Sequence, residues 1–255
     1  MLCPAMGLLL LFHLSGCSKR ESISSLEQLQ EKEFAIPTGT VADKLVLSRL
    51  PKARFKYFNS VIDAAIAVKS DKADAVAYDE PILKNIAAKS GGLKVLPEMI
   101  TNDNYGIAVR HDNTELKGQI DAVVSEMKRD GSYQAMLRRW LPESGNPGPM
   151  PVIPDAGGEN GVLRLGTATV TEPFSYIDGT GKPVGLDIEL ARRVARKANK
   201  RLEIVNMDFG GMIPALVSGK VDMIAACITI TEERSRQVLF SQPYYVGGIA
   251  AMVKQ

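Results

Sequence analysis

The chain has 255 residues, enough for one or two domains with a real core, and its 45% apolar and 24% charged residues are ordinary for a globular protein. A net charge of +2, with no Lys/Arg run and no basic stripe interleaved with aromatics, leaves no footprint of a nucleic-acid binder. "GGENG" and "GGMIP" lack the Gly-Lys-Ser/Thr ending of a phosphate loop, so no nucleotide site, cofactor or metal site is expected.

The first segment, "MLCPAMGLLLLFHLSGCSKR", has an apolar run from Gly7 to Leu14 that is too short to span a bilayer. Leu14-Ser15-Gly16-Cys17 resembles the lipobox of bacterial lipoproteins, although no Lys or Arg precedes the apolar run. The resemblance implies a signal peptide over 1–17 and a periplasmic or cell-surface protein held to the membrane only by lipid on Cys17. Cys3 then leaves with the leader, and Cys227 is the one free thiol, which excludes an internal disulfide.

Beyond the leader, short apolar runs alternate with helical patterns. "FAIP" (34–37) precedes the helical "VADKLVLSRL"; "ARFKYF" (53–58), "VIDAAIAVKS" (61–70), "ADAVAY" (73–78) and "EPILKNIAAKS" (80–90) follow. Such alternation predicts crossover units and a mostly parallel sheet. Pro, Gly and Asn crowd the stretch 142–161, the composition of a linker.

A second series then starts at Val162. "VLRLG" leads to "GLDIELARRVARKANK" (185–200), where Leu186, Leu190, Ala191, Val194 and Ala198 share one helical face. "LEIVN", "GMIPALVSG" and "VDMIAA" complete another strand–helix–strand set. "SDKADAVAYDE" (70–80) echoes "SGKVDMIAACI" (218–228): a helix end, a turn with Lys, then Asp opening a buried strand. The echo points to two lobes of similar build.

From Val162, "LRLGT", "EPFSYIDGTGKPVGLDIELARRVA" and "DFGGMIPALVSGKVDMIAACITITEERSRQVLFSQPYYVGG" resemble the amino-terminal lobe of the extracellular solute-binding proteins, family 3, which deliver amino acids to ABC importers. "SLEQLQEKEFAIPTGTVADK" and "DKADAVAYDEP" are similar to the other lobe, and "NYGIAVR" with "ELKGQIDAVVSEMKRDGSYQAMLRRWL" to the family's C-terminal return. The resemblance implies an α/β, two-lobed periplasmic-binding-protein type 2 fold, circularly permuted. The second lobe occupies 22–105, the return segment 106–141, the linker 142–161 and the first lobe 162–255. Trp140 then stands at the family's usual C-terminus, the new chain ends fall at the hinge, and one crossover between lobes is cut. Cuts at exposed loops and nearby natural termini make permutation physically feasible. As a flexible coil the linker spans roughly 25 Å, enough for a single-chain monomer. A tandem-array fragment and a swapped dimer are the other arrangements this order allows.

The ligand site follows from the same resemblance. A free amino acid carries a carboxylate and an ammonium, so a site that reads both needs a cation and a carboxylate enclosed from water. Arg234 matches the family Arg that clamps the α-carboxylate with a two-pronged guanidinium, and Asp79 matches the carboxylate that takes the α-ammonium. Without the motif, Arg234 would read as a solvated helix residue and Asp79 as a helix N-cap. Thr229 matches a supporting hydroxyl, Phe209 an aromatic wall, and Thr40 a hydroxyl at a helix start; Cys227 falls where Gly or Ser supplies backbone groups. Ala168 and Thr171 stand where cation-binding members carry an acid and an aromatic. Thr171 is counted with the site, Glu172 lies nearby, and the expected ligand is a small or uncharged polar amino acid, not Lys or Arg.

The expected role is a non-catalytic, lipid-anchored receptor that closes on one amino acid and meets an ABC permease. Two alternatives share the fold: a dehydratase acting on prephenate or arogenate, with Glu172 as a cleft acid, and a ligand-sensing domain of a signalling system. A catalytic thiol at Cys227 is disfavoured, since neither His13 nor His111 has a sequence reason to pair with it.

Overall fold

The computed structural model describes residues 22–142 and 146–255; the leader, with Cys3, His13 and Cys17, lies outside the described residues. Phe34 to Ile36 and Ala75 to Tyr78 are apolar runs without alternation, and both are buried, as a strand covered on each face requires. They lie in β1 (Glu33–Pro37) and β3 (Ala75–Asp79). Between and after them come α1 (Ala42–Arg49), β2 (Arg54–Phe58), α2 (Val61–Lys69), α3 (Glu80–Ser90) and β4 (Leu93–Met99). Ser60 starts α2 by accepting the Asp63 N–H at 3.1 Å and donating to the Asp63 carboxylate at 2.8 Å, which fixes where the helix begins.

The chain then leaves this lobe through β5 (Asp103–Tyr105) and continues as β6 (Ala108–Val109), α4 (Thr114–Asp130) and α5 (Ser132–Trp140). Gly131, at a left-handed φ of 82°, makes the break between the two helices. Residues 146–161 hold no helix or strand and run along the far lobe, where the Gly148 N–H donates to Arg139 O (2.7 Å) and Asn160 N–H to Asn199 O (3.0 Å).

The second series contains β7 (Val162–Thr167), the small strands β8 (Val170–Thr171), β9 (Ser175–Ile177) and β10 (Pro183–Val184), then α6 (Leu186–Lys197) and β11 (Arg201–Asn206). It continues through α7 (Met212–Val217), β12 (Met223–Ile224), α8 (Glu232–Ser235) and β13 (Leu239–Phe240). The chain crosses back through β14 (Tyr245–Gly247) and finishes in β15 (Ile249–Lys254).

Two five-stranded sheets result, in the orders β2-β1-β3-β15-β4 and β11-β7-β12-β6-β13. In each, four strands run in one direction and the fourth position is an antiparallel strand from the other half of the chain. The mixed α/β, two-lobed architecture is thus laid out by position as well as by class. No helix among the described residues is long and apolar enough to cross a membrane.

Two expectations change here. Residues 249–254, counted by sequence with the lobe 162–255, belong to the other sheet. Ile249 to Val253 is a continuous apolar run that fits only a central strand, and it pairs on both sides with β3 and β4. Both crossovers are therefore intact, paired as β14 and β5 with Tyr245 opposite Tyr105. The first and last described residues, Ser22 and Gln255, lie away from the hinge: Gln255 N–H donates to Gly92 O at 3.0 Å, and both border one cavity at the outer end of the lobe.

The return segment is fastened by one acid. Glu189, wholly buried on α6, accepts from Arg139 Nη1 (2.7 Å), Trp140 Nε1 (2.7 Å) and Arg193 Nη2 (2.8 Å). Glu189→Leu leaves those donors facing an apolar group. It is expected to lower stability by about 3 kcal/mol, seen as a lower urea midpoint followed by Trp140 emission.

Candidate functional site

Open α/β sheets offer ligand groups at the carboxyl ends of their strands. β3 ends at Asp79, and β12 leads through Ala225 and Ala226 to Cys227; the two positions lie near enough that an Asp79 charge raises the Cys227 thiol further. Asp79 occupies the N-cap position of α3 but its side chain makes no capping bond. Instead the carboxylate accepts from the Tyr105 hydroxyl, which arrives from the crossover strand β5.

Arg234 sits in α8, a single turn started by Thr231, whose side chain accepts the Arg234 N–H at 3.2 Å. Its guanidinium is buried, donates from Nη1 to Thr229 O (3.0 Å), and lies 5.3 Å from the centroid of the Phe209 ring. Burial works against the Arg234 charge and the nearby Asp79 carboxylate supports it. Arg234, Asp79, Phe209 and Thr229 thus come together, with the Thr229 carbonyl, rather than its hydroxyl, meeting the cation.

The remaining expected residues play smaller parts. Thr40 donates to Pro37 O at 2.9 Å and accepts the Ala42 N–H at 3.4 Å, so its hydroxyl shapes the start of α1. Thr171 donates within its own turn, to Ala168 O (2.9 Å) and Ser175 O (3.3 Å). Cys227 takes a left-handed φ of 51°, unusual for a residue with a Cβ, which turns its N–H onto Asp187 Oδ2 at 3.3 Å. Burial raises its thiol well above the usual range, which suits a backbone role. Among the described residues no group of His, Cys, Asp and Glu could hold a metal ion.

The lobes touch across the cleft. Lys44 pairs with Glu233 and Lys89 with Glu172, each joining opposite lobes. The loop before α1 packs on the one before α7 so closely that a Cβ on Gly39 would lie 2.5 Å from Gly210 Cα. Gly39 also has φ 81°, so both its backbone and its neighbour demand glycine.

Three participants have no sequence signal. Tyr105 reads as an ordinary strand aromatic, Tyr244 as a core residue, and Asp187 as an acid complementing the start of α6. Asp187 is fully buried; its Oδ1 and the Tyr244 hydroxyl make no hydrogen bond by distance and angle, although the hydroxyl's proximity favours the carboxylate. Burial pushes both Asp79 and Asp187 up to about 7, with Tyr105 opposing the rise at Asp79 and Tyr244 at Asp187.

The sign follows from proton counting. Between the unfolded carboxyl range and about 7, the folded protein keeps protons that the unfolded chain has lost, so stability falls as pH rises through that window. The ligand-free protein is expected to show a higher urea midpoint at about pH 5.5 than at about pH 8, with a shallower slope in Asp79→Asn. An ammonium ligand needs the ionised carboxylate, so its affinity should change in the opposite sense and weaken toward about pH 5.5 in isothermal titrations.

Comparison with known proteins adds a sequence relationship. The family model described as bacterial extracellular solute-binding proteins, family 3, matches residues 163–255. The chain is 42% identical over 93 residues to the "Arginine-binding extracellular protein ArtP" of Bacillus subtilis (strain 168), covering 36% of each chain. It is 29% identical over 127 residues to the "ABC transporter glutamine-binding protein GlnH" of the same strain, covering 49% of this chain and 46% of that one. The arginine-bound form of domain 1 from TmArgBP is 36% identical over 38% of this chain and 82% of its own, with a TM-score of 0.34. This chain spans between about a third and a half of the curated relatives it matches.

Proposed function

We propose, from the match of residues 163–255 to the bacterial extracellular solute-binding proteins, family 3, that the chain is a receptor enclosing one free amino acid between its lobes. The supporting observation is the convergence of a buried guanidinium, Arg234, and a buried carboxylate, Asp79, at the meeting point of two lobes already in contact. The cation would take the α-carboxylate and the acid the α-ammonium, while Phe209 offers the ligand side chain an aromatic face. Nothing in this reading requires catalysis: the cysteine is a backbone element, and Glu172 is held by Lys89. The proteins it resembles are named as binding proteins.

The ligand would be small or polar and uncharged. A buried cationic side chain needs its own partner. Ala168 offers none, the Thr171 hydroxyl is held in its turn, and Glu172 already faces Lys89. The relatives' names include arginine and glutamine binders, so the choice lies in this chain's own cleft.

Delivery to an ABC permease, and attachment of a monomer to the membrane through lipid on Cys17, complete the proposal. A circularly permuted order is part of it. Each sheet's antiparallel strand comes from the other half of the chain, and the first and last described residues border one cavity, as joining the usual termini and opening an outer loop would produce.

A thermal-shift screen of the twenty amino acids tests the reading. A ligand at one hundred times its dissociation constant should add about 2.7 kcal/mol. The rise is expected with one or a few uncharged amino acids and should be lost in Arg234→Ala; a rise with arginine or lysine would overturn the specificity, and none with any would overturn the receptor. Cys17→Ser is expected to move the protein from the membrane to the soluble fraction after cell breakage, with its binding unchanged.

A further inference from the structure

Behind the amino-acid cleft, where α3 of one lobe meets the end of α5 and the turn at Pro173 of the other, there is a cavity of about 490 Å³. That volume lies in the range of small-molecule sites. Pro81, Asn85, Trp140, Pro142, Pro173 and Tyr245 line it, so an occupant would touch both lobes and the crossover β14. None of these residues takes part in the cleft chemistry.

Asn85 is the informative side chain. It projects from α3 at 8% exposure, and its amide has no hydrogen-bond partner among the described residues. Its amide is not among the fully enclosed polar atoms, so its donor and acceptor stay open to an occupant of the cavity. The walls around it combine proline and aromatic surfaces with polar groups. Trp140 contributes only its ring surface, since its N–H already serves Glu189. At the rim, Glu80 and Lys84 pair with each other, which leaves no net charge to attract an ion.

We propose that this cavity is a second ligand site, separate from the amino-acid cleft, that takes a small planar carboxamide. An amide edge supplies the donor and acceptor that match those of Asn85, and a ring attached to it fills the space between the prolines and the aromatics.

Trp140 is the single tryptophan of the chain, so its emission reports on this cavity without reference to the cleft. Benzamide titrated into the full chain is expected to change that emission saturably, with benzoate and toluene weaker by about tenfold or more. Asn85→Leu, of similar volume, should weaken benzamide by about tenfold or more. Ala88→Phe, at an exposed position lining the cavity, should do the same with an unchanged urea midpoint. Absence of a saturable change with benzamide, or equal titration by the native chain and both variants, would overturn the site.

Discussion

Neither half of this chain can close its own sheet. β6, two residues long, fills the gap between β12 and β13, and β15 fills the equivalent gap between β3 and β4. A missing central strand would leave two rows of buried N–H and C=O groups without partners, so each lobe depends on the other end of the chain. The two crossovers follow from that exchange. They pair antiparallel as β5 and β14 in a space so narrow that a Cβ on Gly247 would meet the Tyr105 hydroxyl at 2.7 Å, and one on Gly248 the Thr101 carbonyl at 2.0 Å. The same narrowness delivers Tyr105 to Asp79. The site's buried carboxylate is therefore held by the hinge itself.

The likeness of the lobes reaches to single atoms. Asp74 opens β3 by accepting the Glu33 N–H at 2.9 Å, while its own N–H donates to Glu33 O at 2.9 Å. Asp222 opens β12 with the same pair of bonds to Arg164, at 2.8 and 2.9 Å. These two acids occupy the same place in the sequence echo, and counting forward from each brings Asp79 opposite Cys227. One lobe thus ends its central strand in an acid and the other in a left-handed turn that gives its backbone N–H to Asp187. Two copies of one plan, differing at that position, suffice to make a polar cleft with distinct sides.

The helix and strand pattern was legible because each element carries its own period or burial signature. "VIDAAIAVKS" and "EPILKNIAAKS" form helices at the expected places, and the described residues of the linker form none. The destination of β15 was not legible: "IAAMV" says central strand, but nothing local says which of two sheets. Arg234 and Asp79 were singled out through motif order, and the fold places the two side chains close together. Tyr105, Tyr244 and Asp187 were not, because their parts depend on which strands and helices meet across the hinge. Thr171 was picked by motif position, and its hydroxyl is bonded inside its own turn.

Asp187 and Glu189 separate what holds the fold from what serves the cleft. They lie two residues apart in the first turns of α6, and both are fully buried acids. Glu189 meets donors from Arg139, Trp140 and Arg193, a complete set that ties the return segment to its lobe. Asp187 has one backbone N–H, from Cys227, and a tyrosine just outside hydrogen-bond geometry. A stabilising acid gains from every added donor, and natural interiors rarely leave one short. The under-partnered acid is the one beside Cys227, where burial and, to a lesser degree, the Asp79 charge favour its protonated form. The helix thus carries a fully partnered anchor, Glu189, and two residues before it an acid that burial keeps readily protonated.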